Sequence, residues 1–273
     1  MTNKDIIAAA YDVGVNEEYN RLVSNPLFEA EFELITELMK KYIAAGSTVI
    51  DIGAGPGRYA EFLLKMGCMV GLVDLSIRSL EAFEKRVDKG LKSNVLFSKV
   101  ACATDLSFIE KNCADAVFLM GPLYHLTDCE ERTKAISEAF RVLKKGGFLF
   151  AVFLSTYDHP PHHHDSNTPC CSDYVKHLLK DAITTVKFQK YMVPQYKCLP
   201  EVAINSIEPH GFDTMHIRNL EGIGLNYSKN DLSKYDSQTN KNMLFDELRS
   251  TCEDPEMIGL ANQFLYVGRK DVG

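Results

Sequence analysis

Three groups of residues have types and spacings that could do chemistry. The first lies in Ser47-Thr48-Val49-Ile50-Asp51-Ile52-Gly53-Ala54-Gly55-Pro56-Gly57, where an apolar run carries an acid and three glycines follow at alternate positions. Glycine has no Cβ, so the backbone can turn sharply and lie against a ligand. A helix opening at Arg58 would present free N–H groups to the same ligand. Asp51, ahead of the turn, can take the ammonium group of a cationic ligand and would sit badly beside a pyrophosphate. The second is Asp74, about twenty residues further on, where one carboxylate can accept from both hydroxyls of a ribose. Its alternative duty is helix capping, although Ser76 already offers an N-cap. The third is Gly121-Pro122-Leu123-Tyr124-His125-Leu126. A histidine with an ordinary pKa of about 6.5 can receive a proton. Tyr124 and His125 could equally do no more than shape a pocket wall.

The elements that must position these residues follow from hydrophobic patterning. Strand, glycine turn and helix open a doubly wound α/β domain, with a nucleotide-type ligand at its switch point. Strands are predicted at Thr48–Ile52, Met69–Val73, Asn94–Val100, Asp115–Met120 and Phe148–Leu154. Helices are predicted at Arg58–Met66 and Ile77–Val87, the latter with Leu80, Phe83 and Val87 on one face. Before them, Pro26 starts a helix whose Phe28, Phe32, Ile35, Met39 and Tyr42 form one buried face ended by Gly46. Thr127–Glu130 reads as a capping box for a helix carrying Ile136, Phe140 and Leu143. Lys144-Lys145 fall in its last turn and Gly146-Gly147 stop it. The strand–helix alternation breaks after Ser155. Residues 156–200 read as a lid insertion with a helical piece near Asp173–Ile183. A helix at Pro200–Glu208, a strand near Met215–Leu220, a helix at Asn240–Cys252 and a strand at Gln263–Val267 complete the chain.

The 273 residues make one α/β domain with a modest cap. The parts are an N-terminal cap at 1–45, a ligand-binding core at 46–155, the lid, and a sheet-completing portion at 201–273. The net charge of −7 and the lack of a Lys/Arg cluster speak against nucleic acid or an anionic membrane as partner. No apolar run approaches the roughly 20 residues of a membrane span. Met1–Asp5 lacks the apolar region of a signal peptide, so the eight cysteines, without any CxxC pair, are read as reduced thiols of a cytoplasmic protein. His162-His163-His164, near Cys170-Cys171 and Asp165, is a tempting metal site. Adjacent histidines diverge along an extended chain, and a solvated loop without metal is the better reading.

Asp51, Gly53, Gly55, Gly57, Asp74, the Gly121–Leu126 turn and Arg141-Val142-Leu143-Lys144-Lys145-Gly146-Gly147 fall in an order that resembles class I S-adenosylmethionine-dependent methyltransferases. The likeness is to the small-molecule type, akin to ubiquinone/menaquinone-biosynthesis methyltransferases, and covers residues 46–154. It implies a Rossmann-like sheet of about seven strands, mostly parallel with an antiparallel last strand, and helices on both faces. It implies S-adenosylmethionine as cofactor, held by Asp51, Gly53, Ala54, Gly55, Gly57, Arg58, Asp74, Leu75, Ser76, Ala103, Thr104, Met120 and Gly121. The acceptor would be a small molecule contacted by Tyr11, Tyr19, Arg21, Tyr124, His125 and Tyr157, with His125 and Tyr124 as the catalytic pair. The family often carries an acid where this chain has Cys102, which leaves the adenine to backbone around Ala103 and to Asp105. Enzymes that methylate amino groups of nucleic acid bases carry Asp/Asn-Pro-Pro-Tyr/Phe at the third motif. Gly121 and Leu123 depart from it and argue against such substrates. Two alternatives stay open: a protein that binds S-adenosylmethionine without transfer, and an NAD-dependent oxidoreductase. Arg58 in place of a third glycine speaks against the latter.

Overall fold

The computed structural model describes residues 1–156, 182–222, 224, 227, 229–258 and 262–272. Tyr157, the triple histidine and most of the expected lid lie outside the described residues. The chain begins with three helices, α1 (Asn3–Val13), α2 (Val15–Arg21) and α3 (Pro26–Tyr42). Strand β1 (Thr48–Ile52), helix α4 (Arg58–Lys65), strand β2 (Met69–Asp74), helix α5 (Ile77–Arg86) and strand β3 (Val95–Val100) follow. Next come β4 (Ala114–Leu119), a short α6 (Pro122–His125), α7 (Cys129–Val142) and β5 (Leu143–Ser155). Beyond these lie β6 (Ile183–Phe188), β7 (Tyr191–Cys198), the helix Pro200–Ile207, β8 (Phe212–Asn219), the helix Gln238–Thr251 and β9 (Gln263–Lys270).

The sheet runs β3-β2-β1-β4-β5 with all neighbours parallel. Along Phe148–Leu154, β5 pairs antiparallel with β9, and β9 pairs antiparallel with β8. This is the Rossmann-like sheet expected from the sequence. At Leu154–Ser155, β5 also takes up β7 in parallel, and β7 folds back on β6 as an antiparallel hairpin. The alternation of side chains along each strand feeds two cores. Ile50, Val117 and Leu149 point to one face, while Val49, Phe118 and Phe150 point to the other. Both faces are covered, as a parallel sheet requires.

Four local expectations need correction. Helix α3 has a wider buried surface than one stripe. Ile35, Leu38 and Met39 pack on the sheet side, whereas Ala30 and Leu34 meet Leu244 and Leu248 of the helix Gln238–Thr251. Helix α7 ends at Val142, before the glycines. Its last carbonyls, of Arg141 and Val142, accept from the N–H groups of Asn112 and Cys113, each at 2.9 Å, and Lys270 Nζ donates to Phe140 O at 2.6 Å. Lys144 is already in β5 and pairs with Asp115 at 2.8 Å, and Gly146 (φ +75°) lies within the strand beside a register shift. The expected capping box is a single cap, with Asp128 accepting from the Glu131 N–H at 3.1 Å. The expected helical piece ending at Ile183 meets a strand there, because β6 begins at that residue.

Candidate active site

A cavity opens at the C-terminal ends of the parallel strands, where open α/β sheets bind ligands. Its floor is the glycine turn after β1, the end of β2, the turn after β3 and the β4–α6 junction. Its roof is α1 and α2. The turn is held by backbone bonds: the N–H groups of Gly53 and Ala54 donate to Val73 O at 2.7 and 3.1 Å. Gly53 (φ +74°) sits so close to α6 that a Cβ would lie 2.6 Å from Pro122 Cδ. Gly57 (φ +83°) opens α4, and a Cβ there would lie 2.3 Å from the Phe83 ring. Gly55 also has positive φ, but a Cβ there would meet nothing closer than Glu18 Cγ at 3.9 Å. Gly53 and Gly57 are therefore required by packing, while Gly55 leaves open the space against the cavity.

Two carboxylates flank this turn. Asp74 Oδ2 accepts from the Gly55 N–H and Oδ1 from the Ser76 N–H, each at 2.7 Å. Burial nevertheless pushes its pKa up to about 6, against the pull of those N–H donors. Asp51 is 2 % exposed, and its Oδ2 has no hydrogen-bond partner among the described residues. Burial, and then the neighbouring Asp74 charge, push Asp51 up to about 7. A buried carboxylate oxygen without a donor is costly unless a ligand supplies one. An ammonium group would supply both the donor and the compensating charge, so this site fits a cationic amino-acid arm beside a ribose.

Further along the cavity, Tyr11 of α1 reaches His125 of α6. The two rings meet edge to face with centroids 5.5 Å apart, and the phenol lies 2.9 Å from Nε2. His125 Nδ1 lies 3.4 Å from the carbonyl of Pro194 in β7. A carbonyl can only accept, so the ring proton belongs on Nδ1 and Nε2 accepts from Tyr11. Tyr124 stands beside them, its ring centroid 4.6 Å from that of His125. Burial pushes His125 down to about 4, which corrects the expectation of an unperturbed histidine. Arg21 of α2 also lines the cavity. It pairs with Glu18 at 3.2 Å and with the buried Glu31 at 3.1 Å.

Asp51, Gly53, Ala54, Gly55, Arg58, Asp74, Leu75, Ala103, Met120, Gly121, Tyr11, Arg21, Tyr124 and His125 are thus brought together on one cavity wall. Five residues are not. Ser76 caps α5 through the Ser79 N–H and donates to Asp12 at 2.6 Å. Gly57 faces Phe83. Thr104 turns to the Cys102 sulfur at 3.1 Å, and Asp105 accepts from the Ser107 N–H. Tyr19 is held between the guanidinium groups of Arg58 and Arg86, 3.9 and 3.5 Å from its ring centroid, and its phenol donates to Glu61. The sequence reading missed Lys4, Ile7, Glu18, Tyr59 and Glu131 as lining residues. Only the proximity of Glu18 to Tyr19 and Arg21 in the sequence hinted at any of them.

Known proteins resemble this chain in part. A family profile described as a methyltransferase domain matches residues 49–147. The ubiquinone biosynthesis O-methyltransferase of Xanthomonas oryzae pv. oryzae is 33 % identical over 118 residues, which are 43 % of this chain and 46 % of the relative. The chain therefore spans about half the length of the curated relatives it matches. The crystal structure of an S-adenosylmethionine-dependent methyltransferase from Methanosarcina mazei superposes with a TM-score of 0.60 at 16 % identity, covering 86 % of this chain and 98 % of that one. Residues 49–147 of this chain thus resemble a methyltransferase domain, and the fold around them is Rossmann-like. A possible histamine N-methyltransferase from Thermotoga maritima shares the fold with a TM-score of 0.57 at 18 % identity, over 97 % of this chain and 99 % of that one. The matched region stops before β6, β7 and the other elements that complete the cavity surroundings.

Proposed function

We propose that the chain transfers a methyl group from S-adenosylmethionine to a small-molecule acceptor. The observation that carries this reading is the buried, partnerless Oδ2 of Asp51 beside a glycine turn and Asp74. When bound, S-adenosylmethionine supplies an electrophilic methyl carbon on a sulfonium. Asp51 takes the ammonium of its amino-acid arm and Asp74 the ribose hydroxyls. Gly55 gives the ligand room, and Leu75, Ala103, Met120 and Gly121 enclose it. The protein's main contribution is alignment and water exclusion, which can be worth roughly 7–11 kcal/mol of barrier.

The acceptor sits against Tyr11, Tyr124 and His125, with Arg21 on the same wall. Tyr11 and His125 thus hold and orient the acceptor, with the Pro194 carbonyl fixing the tautomer and burial keeping the imidazole neutral. The test is incubation of the purified chain with methyl-labelled S-adenosylmethionine and a small-molecule cell extract. Label should move into one or a few extract components with equimolar S-adenosylhomocysteine formed. Absence of both products with a folded chain contradicts the reading.

A further inference from the structure

The ends of the parallel strands set the order of groups along the cavity. The glycine turn and Asp51 belong to β1, Asp74 closes β2, and Ala101–Ala103 follow β3, each strand beside the last. On the reading above, a ligand with its ammonium on Asp51 and its ribose on Asp74 lays its base over the turn after β3. That turn has no acid in the cavity. Cys102 stands there, with its sulfur accepting from Thr104 Oγ1 at 3.1 Å. A thiol is a weak hydrogen-bonding group and cannot replace a carboxylate.

The charged groups at this end come from elsewhere in the chain. Lys4 of α1 and Glu131 of α7 both line the cavity, and their ion pair is 2.7 Å long. Lys4 and Cys102 line the same end of the cavity, close enough to interact, which places the pair beside the turn. Both side chains keep about a third of their exposure, so as a surface ion pair they would add little stability. Together they present one acceptor and one donor side by side. An adenine edge presents the complement, an amino group next to an unprotonated ring nitrogen.

We infer that the Lys4–Glu131 pair reads the six-amino purine edge of the cofactor, Glu131 accepting from the amino group and Lys4 donating to the adjacent ring nitrogen. This places base recognition on α1 and α7, in place of the turn after β3. It rests on the cofactor assignment proposed above.

The test compares S-adenosylhomocysteine with S-inosylhomocysteine, whose six-oxo ring reverses both donor and acceptor. Titration calorimetry on the full chain should show at least about tenfold preference for the adenine form, the scale of one mismatched edge. The double exchange Lys4→Glu with Glu131→Lys keeps an ion pair between α1 and α7 but reverses its polarity across the base. It should abolish or invert the preference while the melting temperature stays near that of the parent. Preference unchanged in the exchanged protein overturns the inference and leaves the cofactor assignment standing. Equal binding of both nucleosides by the parent does the same. No binding of either overturns the cofactor assignment itself.

Discussion

The phenol of Tyr11 lies 2.9 Å from Nε2 of His125, across 114 positions of sequence. That contact ties the N-terminal helix to the short helix after β4, at the point where open α/β sheets place their reacting groups. The Pro194 carbonyl on the other ring nitrogen adds the β6–β7 hairpin to the same assembly. Around it, Ile7, Ala10 and Val193 form a small core of their own, with Phe188 packed against it. This imidazole is thus one joint between roof and floor, beside the Ser76–Asp12 and Tyr19–Glu61 bonds.

Tyr11→Phe keeps the ring and its packing and leaves His125 Nε2 buried without a donor. The loss should be about 1–3 kcal/mol of stability, the cost of an unmet buried polar group. Urea unfolding of the ligand-free protein measures it. Equal midpoints in parent and variant would show that the bond contributes nothing to holding the roof.

The glycines of the turn should separate by readout. Gly57→Ala faces both a positive φ and the Phe83 ring 2.3 Å from its new carbon, and should destabilise the fold by about 2 kcal/mol or more. Gly55→Ala also has a positive φ, of +53°, but its methyl meets open space. It should cost less stability and weaken S-adenosylhomocysteine binding, because the methyl enters the ligand's place. Denaturation and calorimetry on both variants check this. The reverse pattern would exchange the roles given to the two glycines.

Proton linkage follows from the raised carboxylates. In the free protein Asp51 is pushed up to about 7 and Asp74 to about 6, both above an unfolded aspartate near 4. Between pH 4 and 7 the folded state therefore binds more protons than the unfolded state, so ligand-free stability should fall as pH rises through this window. A ligand that needs Asp51 ionised has the opposite trend: its affinity should rise by up to about tenfold per unit between pH 5 and 7, then level off. Calorimetry in buffers of different ionisation enthalpy should show proton release near pH 6. A flat affinity profile would contradict the ammonium contact.

The order of strands and the two carboxylates were legible because they rest on local signals. An apolar run, three glycines and an acid at each strand end determine the unit that holds Asp51 and Asp74, and parallel pairing does the rest. Long-range signals were not legible. The Pro194-bearing β7 hairpin has no repeating apolar pattern, and its burial comes from α1 and α6. The stop of α7 was misplaced because Asn112 and Cys113, just before β4, and Lys270, far away in β9, cap it in place of the glycines next in sequence. Tyr19 and Tyr11 look alike in the sequence. Only packing shows that two arginines hold Tyr19 away while Tyr11 enters the cavity.

The central claim is that Asp51 and the glycine turn hold a sulfonium nucleoside, and calorimetric titration of S-adenosylhomocysteine tests it most directly. One site per chain is expected, with no binding of NAD under the same conditions. A loss of affinity of tenfold or more is expected in Asp51→Ala, about the 1.4 kcal/mol of a charge-assisted contact. Asp51→Ala binding S-adenosylhomocysteine as tightly as the parent, or a parent that binds NAD instead, would contradict the claim.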